Sequence, residues 1–145
     1  MTIYLDSSVL VKLYVYEAKS KEVTELVENL GEAVLFTRLH ELEMKNGIRT
    51  KGFRREIMTE QITQSLKLID TDLSSGRLKQ ISLNWNDVYD YAESLSHKHS
   101  RQIGCRSLDI LHVAAAMTLG IKKIITTDHR QEQLARAANF QVTVI

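Results

Sequence analysis

The chain begins, at residues 3–10, with the sequence IYLDSSVL. Residues 3–5 are apolar and predict a short buried strand, and the serines that follow can cap a helix. Asp6 stands between the two. A carboxylate beside buried surface costs free energy unless something compensates its charge. The opening therefore predicts a strand, a helix and an acid at their junction whose presence needs an explanation.

Apolar runs that predict strands alternate along the rest of the chain with amphipathic stretches that predict helices. We expect strands at residues 3–5, 33–36, 78–83, 122–126 and 141–144, and helices from residue 7 or 8, and at 19–30, 39–51, 55–75, 85–99, 107–119 and 130–138. The strand runs are apolar throughout, which favours a mostly parallel sheet covered by helices on both faces. The predicted fold class is therefore α/β, with three layers in the order α/β/α.

The composition fits one ordinary domain. The chain has 145 residues, of which 43% are hydrophobic and 26% charged, with 6 glycines and no proline. We expect a single domain over residues 1–145, without a linker. The net charge of +1 gives no global basic field, and one cysteine excludes a disulfide framework within the chain. Neither a signal peptide nor an apolar run of membrane length is evident, so we expect a cytoplasmic protein.

Three more acids, like Asp6, lie beside segments that are predicted to be buried. Asp128 follows the apolar run before residue 126, Asp109 opens the most apolar helix, and Glu43 lies within the helix predicted over 39–51. Each has a simple structural explanation. Asp6 and Asp128 can cap helices, and Asp109 suits a first turn, where the helix dipole favours an acid.

Glu43 must be distinguished from Glu41, its near neighbour. Glu41 lies four residues before Lys45 on the predicted helix, a spacing that favours a solvated ion pair. Glu43 lies four residues from Leu39 and four from Gly47, so it shares a face with an apolar side chain and a position that leaves room. We therefore expect Glu43 to point inward and Glu41 to face solvent.

The four acids taken together indicate a metal site. In parallel sheets, functional sites form at the carboxyl ends of the strands, where Asp6 and Asp128 are predicted to lie. Clustered carboxylates raise one another's pKa values, and a hard cation such as Mg²⁺ or Mn²⁺ reverses that penalty. Such a cation lowers the pKa of a bound water and neutralises a phosphate oxygen. The pattern thus predicts metal-dependent chemistry on phosphate.

Four ordered segments carry a family resemblance. They are residues 4–14 (YLDSSVLVKLY), 37–43 (TRLHELE), 108–116 (LDILHVAAA) and 125–128 (ITTD). In order and spacing, over essentially the whole chain, the sequence resembles a PIN domain, and most closely the VapC-like toxin ribonucleases of type II toxin–antitoxin pairs. No single segment is specific, but the ordered set of four is.

The resemblance implies an endoribonuclease that uses Mg²⁺ or Mn²⁺ and a metal-activated water to hydrolyse RNA phosphodiester bonds. It places the following residues on the family's catalytic and metal-binding acidic positions: Asp6, Glu43, Asp109 and Asp128. It also places Ser7 and Thr126 on hydroxyl positions that can support the site. The family further implies a homodimer and a small VapB-like antitoxin that covers the site.

Two alternatives remain open from the sequence. The first is a PIN nuclease of RNA processing or decay that has no antitoxin. The second is a Mg²⁺-binding, receiver-like module or a PIN fold that binds RNA without cutting it. A receiver would need a lysine late in the chain beside the acids, and Lys122 and Lys123 fit that position poorly.

Basic and histidine side chains supply the remaining candidates. Residues next to the acidic segments are candidate phosphate contacts: Lys12, Arg38, Arg106 and Arg130. A denser basic run, Lys45 to Arg55, is favoured as a solvated helix face and is the weaker RNA candidate. His112 lies three residues after Asp109, and we expect it to be a buried, hydrogen-bonded structural residue.

Overall fold

The computed structural model describes residues 2–145, which form two compact units. The first unit comprises residues 7–81, and the second comprises residues 2–6 and 82–145. The strands and helices follow in chain order: β1 (Ile3–Leu5), α1 (Ser7–Leu10), α2 (Ser20–Leu30), β2 (Val34–Phe36), α3 (Arg38–Phe53), α4 (Thr59–Ser75), β3 (Leu78–Gln80), α5 (Trp85–Ile103), α6 (Ser107–Thr118), β4 (Lys123–Thr126), α7 (His129–Ala137) and β5 (Gln141–Val144). A 3-10 turn, Val11–Leu13, follows α1.

The first unit is built on a parallel pair of strands, β2 and β3, with Phe36 opposite Gln80. Parallel strands need a long crossover, which α3 and α4 provide. Thr37 starts α3, because its hydroxyl accepts from the His40 N–H at 3.3 Å while His40 Nδ1 accepts from the Thr37 N–H at 3.1 Å. This reciprocal cap satisfies donors that a helix start leaves unpaired.

Several charged and polar side chains of the first unit are paired within it. Glu17 lies between two ammonium groups, Lys12 Nζ at 2.9 Å and Lys51 Nζ at 3.0 Å. Burial alone would raise the pKa of Glu17, but the two lysines outweigh burial and lower it. The Tyr14 hydroxyl donates to Asp72 Oδ2 at 2.8 Å, and burial, followed by that carboxylate, raises the pKa of Tyr14.

The second unit contains a three-stranded parallel sheet in the order β1-β4-β5. Leu5 lies opposite Ile125, and the Asp6 N–H continues the ladder by donating to the Ile125 carbonyl at 3.1 Å. The ladder therefore fixes the backbone of Asp6 at the carboxyl end of the sheet. Thr126, at the end of the middle strand, is fully buried.

Helix α6 supplies much of the core of the second unit. Its residues 113–116, one valine and three alanines, are fully buried. The Tyr4 hydroxyl and His112 Nδ1 share a hydrogen bond of 2.7 Å, and the two rings meet edge to face with centroids 5.7 Å apart. This bond joins β1 to α6, and it confirms that His112 is buried and hydrogen-bonded.

The predicted elements are confirmed with small differences in their bounds. Helix α4 starts at Thr59 and not at 55, because Arg55 adopts the left-handed conformation, with φ of 60°, in the turn that precedes it. Gly31 ends α2 in the same conformation, as predicted. The expectation of one domain over residues 1–145 stays a prediction. Within residues 2–145, no helix has both the length and the apolar composition needed to cross a membrane.

Candidate metal centre

Asp6 is held by the end of the neighbouring strand. Its side chain is buried, with 4% exposure, and its Oδ2 accepts a short hydrogen bond from the Thr126 hydroxyl. The same hydroxyl accepts from the Asp128 N–H at 3.0 Å. One buried hydroxyl thus contacts the carboxylate of one predicted acid and the backbone of another. This contact fits the supporting position assigned to Thr126.

Asp128 begins α7 as its N-cap. Its Oδ1 accepts from the Arg130 N–H at 2.7 Å and from the Gln131 N–H at 3.1 Å. The side chain is exposed. The simple explanation for this acid, a helix cap, is therefore correct, and it accounts for only one of the two carboxylate oxygens. A carboxylate has about four lone-pair sites, so capping leaves capacity for a further ligand.

Asp109 lies in the first turn of α6 and is half-buried. Its Oδ2 accepts from the Arg106 N–H at 3.1 Å, a bond typical of that helix position. The pKa of Asp109 is raised, first by burial and also by the charge of Asp128; the Arg106 backbone bond opposes the rise. The carboxylates of Asp109 and Asp128 are therefore close enough to repel each other.

Glu43 belongs to the first unit, on α3. Its Oε1 accepts from the Ser7 hydroxyl at 2.9 Å, which is the contact expected of a supporting hydroxyl. Glu41 instead lies 3.7 Å from Lys45 Nζ in a pair four residues apart on the helix. Glu41 thus pairs with Lys45, as the helix spacing predicted, and Glu43 contacts Ser7. Both glutamates are half-buried, and the assignment of Glu43 to the site stays a prediction.

The second-unit acids have the donor chemistry of a hard-cation site. Their oxygens accept from a hydroxyl and from backbone N–H groups, which orient a carboxylate without neutralising it. Within residues 2–145, no three His, Cys, Asp or Glu side chains converge closely enough to hold a metal ion. The charge of Asp128 repels Asp109 and contributes to the raised pKa of Asp109. A divalent cation among oxygen ligands would offset this repulsion, so the residues fit such an ion chemically.

Part of the basic run from Lys45 to Arg55 is engaged in ion pairs. Lys45 Nζ lies 3.0 Å from Asp70, Lys51 pairs with Glu17, and Arg54 Nε lies 2.7 Å from Glu56. These pairs confirm a helix face whose charges are balanced locally. Three basic residues next to acidic segments are exposed: Arg38, Arg106 and Arg130.

Comparison with known families decides the assignment. The family model of the PIN domain matches residues 3–137. The chain belongs to the PIN domain family. PIN domains are generally nucleases and typically use divalent metals. The family match also confirms the predicted fold class, an α/β/α arrangement with parallel strands.

Solved structures similar to this PIN domain show the same fold. One such structure is VapBC2 from Rickettsia felis bound to a DNA fragment from its promoter. A chain of it has a TM-score of 0.68 and 17% sequence identity, and the match covers 100% of this chain and 99% of that one. A chain of VapBC-1 from nontypeable Haemophilus influenzae has a TM-score of 0.68 and 16% sequence identity, and the match covers 99% of this chain and 98% of that one. A chain of FitAcB from Neisseria gonorrhoeae has a TM-score of 0.61 and 15% sequence identity, and the match covers 97% of this chain and 95% of that one. No curated protein sequence matches the chain.

Two residues around the acids were not singled out from the sequence. His40 caps the helix that carries Glu43, and Gln131 is buried beside Asp109 and Asp128. Both stand three residues after a capping residue, Thr37 and Asp128 respectively. That spacing could have found His40, because the third helical position is where a side chain can reach back to the helix start. It could not have found Gln131, because that side chain contacts Asp109 on another helix.

Proposed function

We propose that this PIN domain is a Mg²⁺- or Mn²⁺-dependent endoribonuclease and the toxin of a type II, VapBC-like toxin–antitoxin pair. The observation that supports the nuclease most strongly is the set of carboxylates in the second unit. Asp6 accepts from the Thr126 hydroxyl, Asp109 and Asp128 accept from backbone N–H groups, and the pKa of Asp109 is raised by burial and by a neighbouring negative charge. Such a set favours a cation from outside the protein.

The three acids of the second unit differ in solvent exposure. Asp6 is buried, Asp109 is half-buried and Asp128 is exposed. A substrate phosphate reaches the exposed end from solvent, while the buried end is protected from competing water. We assign these three residues as metal ligands and catalytic acids, directly or through water. The family resemblance also makes Glu43 a candidate catalytic and metal-binding residue.

The chain's own residues have distinct roles in this proposal. A divalent cation held by Asp6, Asp109 and Asp128 would supply positive charge beside the scissile phosphate and would lower the pKa of a water molecule. Thr126 orients Asp6 through its hydroxyl and fixes the backbone of Asp128. Arg106 and Arg130, exposed at the starts of α6 and α7, are placed to attract RNA phosphates. No side chain is required as a nucleophile.

The proposed partners follow from the kind of protein that shares the fold. Two of the similar structures are VapBC complexes, which supports a VapB-like antitoxin as the partner of this chain. We also propose a homodimer and a cytoplasmic site of action. A nuclease of RNA processing or decay would have the same acids and no antitoxin. The family match argues against a receiver-like module.

The decisive experiment expresses the wild type and Asp6→Asn in bacterial cells and follows growth and RNA integrity. Asn is nearly the same size as Asp and keeps an oxygen for the Thr126 hydroxyl, but it lacks the charge that binds a cation. We expect growth arrest and RNA cleavage with the wild type only. Equal toxicity of the two proteins would refute the metal site as the cause.

Two further arms separate the candidate functions. Cleavage by the purified wild type should stop in EDTA and return with Mn²⁺, and cleavage that persists in EDTA counts against the metal. Co-expression of a short neighbouring reading frame should restore growth if the chain is a toxin. Cleavage without arrest, unaffected by any neighbouring product, would instead favour a nuclease of RNA processing or decay.

A further inference from the structure

Gln131 is a buried polar residue on a helix face that is otherwise apolar. It is 1% exposed and shares the inward side of α7 with Leu134 and Ala135, which are fully buried. An amphipathic helix normally places an apolar residue at such a position. A buried primary amide has two N–H donors and a carbonyl acceptor, and leaving them unpaired costs roughly 1–3 kcal/mol. The presence of glutamine here therefore needs specific partners.

Two atoms of Asp109 are partners of the Gln131 side-chain amide. One end of the amide faces Asp109 Oδ1 and the Asp109 carbonyl oxygen, each at 3.2 Å. Both of these atoms are acceptors, so the amide nitrogen must occupy that end and donate both of its hydrogens. The carboxylate of Asp109 then has an N–H donor on each oxygen, Gln131 on Oδ1 and Arg106 on Oδ2.

The backbone of Gln131 contacts the other acid. Its N–H donates to Asp128 Oδ1 at 3.1 Å. A single residue therefore hydrogen-bonds to two of the acids in the second unit, through its side chain to Asp109 and through its main chain to Asp128. The residue links the first turn of α6 to the first turn of α7, where these two acids lie.

We propose that Gln131 is a positioning residue that holds Asp109 beside Asp128 in the orientation needed for a divalent cation. The inference rests on the proposed function of these acids. An amide suits this task better than a basic side chain, because it orients a carboxylate and stabilises its charged form while leaving the negative charge for the metal. A lysine or arginine at the same place would compete with the cation.

The expected consequence is a loss of metal affinity with little loss of fold. Hydrogen-bond partners of ligating carboxylates typically contribute about 10- to 100-fold to metal affinity. Gln131→Met keeps the length and approximate volume of the side chain and removes both donors. We expect the Mn²⁺ dissociation constant of this variant, measured by calorimetry on the full chain, to rise by about 10- to 100-fold.

Two more variants make the comparison specific. Gln131→Asn retains an amide that is one methylene too short to reach Asp109, so it should weaken Mn²⁺ binding in the same direction. Gln133→Met removes an amide from an exposed position on the same helix and should leave the dissociation constant unchanged. Excess Mn²⁺ should restore the kcat of Gln131→Met for RNA to the wild-type value, with KM for RNA unaltered.

A purely structural role for Gln131 predicts a different pattern. Gln131→Met would then lower the unfolding midpoint in EDTA and leave the Mn²⁺ dissociation constant of the folded fraction at the wild-type value, which would overturn the inference. If the wild type binds Mn²⁺ and cleaves RNA, and both Gln131 variants bind Mn²⁺ with the wild-type affinity, the role of Gln131 is refuted and the proposed function is retained. Wild type that binds no Mn²⁺ overturns both proposals.

Discussion

Glu17 in the first unit and Asp109 in the second have different kinds of partner. In the first unit, Glu17 lies between Lys12 and Lys51, and these cations lower its pKa despite burial. In the second unit, Asp109 accepts from amide N–H groups, and burial together with the Asp128 charge raises its pKa. The protein thus neutralises one carboxylate internally and leaves the other under-compensated. The difference separates acids that stabilise the fold from acids suited to bind a cation.

The largest effect should come from removing the hydroxyl that joins Asp6 to Asp128. Thr126→Val keeps the shape of the side chain but leaves a buried carboxylate without that donor. We expect RNA cleavage at limiting Mn²⁺ to fall by about 10- to 100-fold, measured as initial rates. Thr126→Ser retains the hydroxyl and should stay near the wild-type rate. A valine variant as active as the serine variant would show that the hydroxyl does not orient the acids.

Removing the charge of Glu17, a paired acid of the first unit, should lower the stability of the protein and leave metal binding unchanged. Glu17→Gln loses the charge shared by two partly buried lysines, so the free energy of unfolding should fall by about 1–3 kcal/mol. Glu22→Gln is the matched control, because Glu22 pairs with Lys19 at an exposed position. That change should cost less than about 0.5 kcal/mol in urea unfolding. Weaker Mn²⁺ binding by Glu17→Gln than by wild type would contradict the assignment of Glu17 to a purely structural role.

The two acids should also give opposite dependences of stability on pH. Glu17 has a lowered pKa, so its contribution is present above its ordinary value of 4.5 and is lost as pH falls through the folded-state pKa. Asp109 has a raised pKa, so ionising it costs stability as pH rises above its ordinary value of 3.8. Asn has only one oxygen for the two N–H donors of Asp109, so Asp109→Asn carries a cost of its own. In EDTA, the stability of Asp109→Asn relative to wild type should nevertheless rise as pH increases from about 3 towards neutral.

Urea unfolding of Glu17→Gln and Asp109→Asn across this pH range checks the prediction. As pH falls, the stability of Glu17→Gln relative to wild type should rise, and that of Asp109→Asn relative to wild type should fall. Relative stabilities that change with pH in the same direction would mean that Asp109 is a structural acid like Glu17.

The smallest effect should come from the exposed arginines beside the acids. Arg130→Ala should weaken binding of single-stranded RNA uniformly across sequences and reduce the slope of log affinity against log salt by about 0.7. Arg101→Ala, an exposed change in the last turns of α5, is the control. Equal salt slopes for the two variants would remove Arg130 from the RNA-binding surface.

The fold class was accessible from the sequence because it depends on short-range patterns, whereas the assignment of the four acids to one site stays a prediction. Apolar runs predicted the strands, and capping positions predicted the roles of Asp109 and Asp128 at helix starts. The choice of Glu43 over Glu41 followed from helix spacing, and the structure gives these glutamates different partners. The position of α4 was less accessible, because the left-handed turn at Arg55 is not signalled by glycine.

Contacts between distant residues could not be predicted from one sequence. The Thr126 hydroxyl meets Asp6 across 120 positions of the chain, and Tyr4 meets His112 across 108. Gln131 looked like any polar residue on a helix rich in charge, and only its burial against Asp109 distinguishes it from Gln133. Such contacts depend on the packing of strands and helices, which local patterns do not specify.

Metal-dependent stabilisation of wild type and Asp128→Asn tests the central claim most directly. Asn is as good an N-cap as Asp, so this change removes a charge and keeps the cap of α7. With Mn²⁺ at about 100 times its dissociation constant, the free energy of unfolding of the wild type should rise by about 2.7 kcal/mol. At the same Mn²⁺ concentration, Asp128→Asn should gain much less. An equal gain in both proteins would contradict a cation site at these acids.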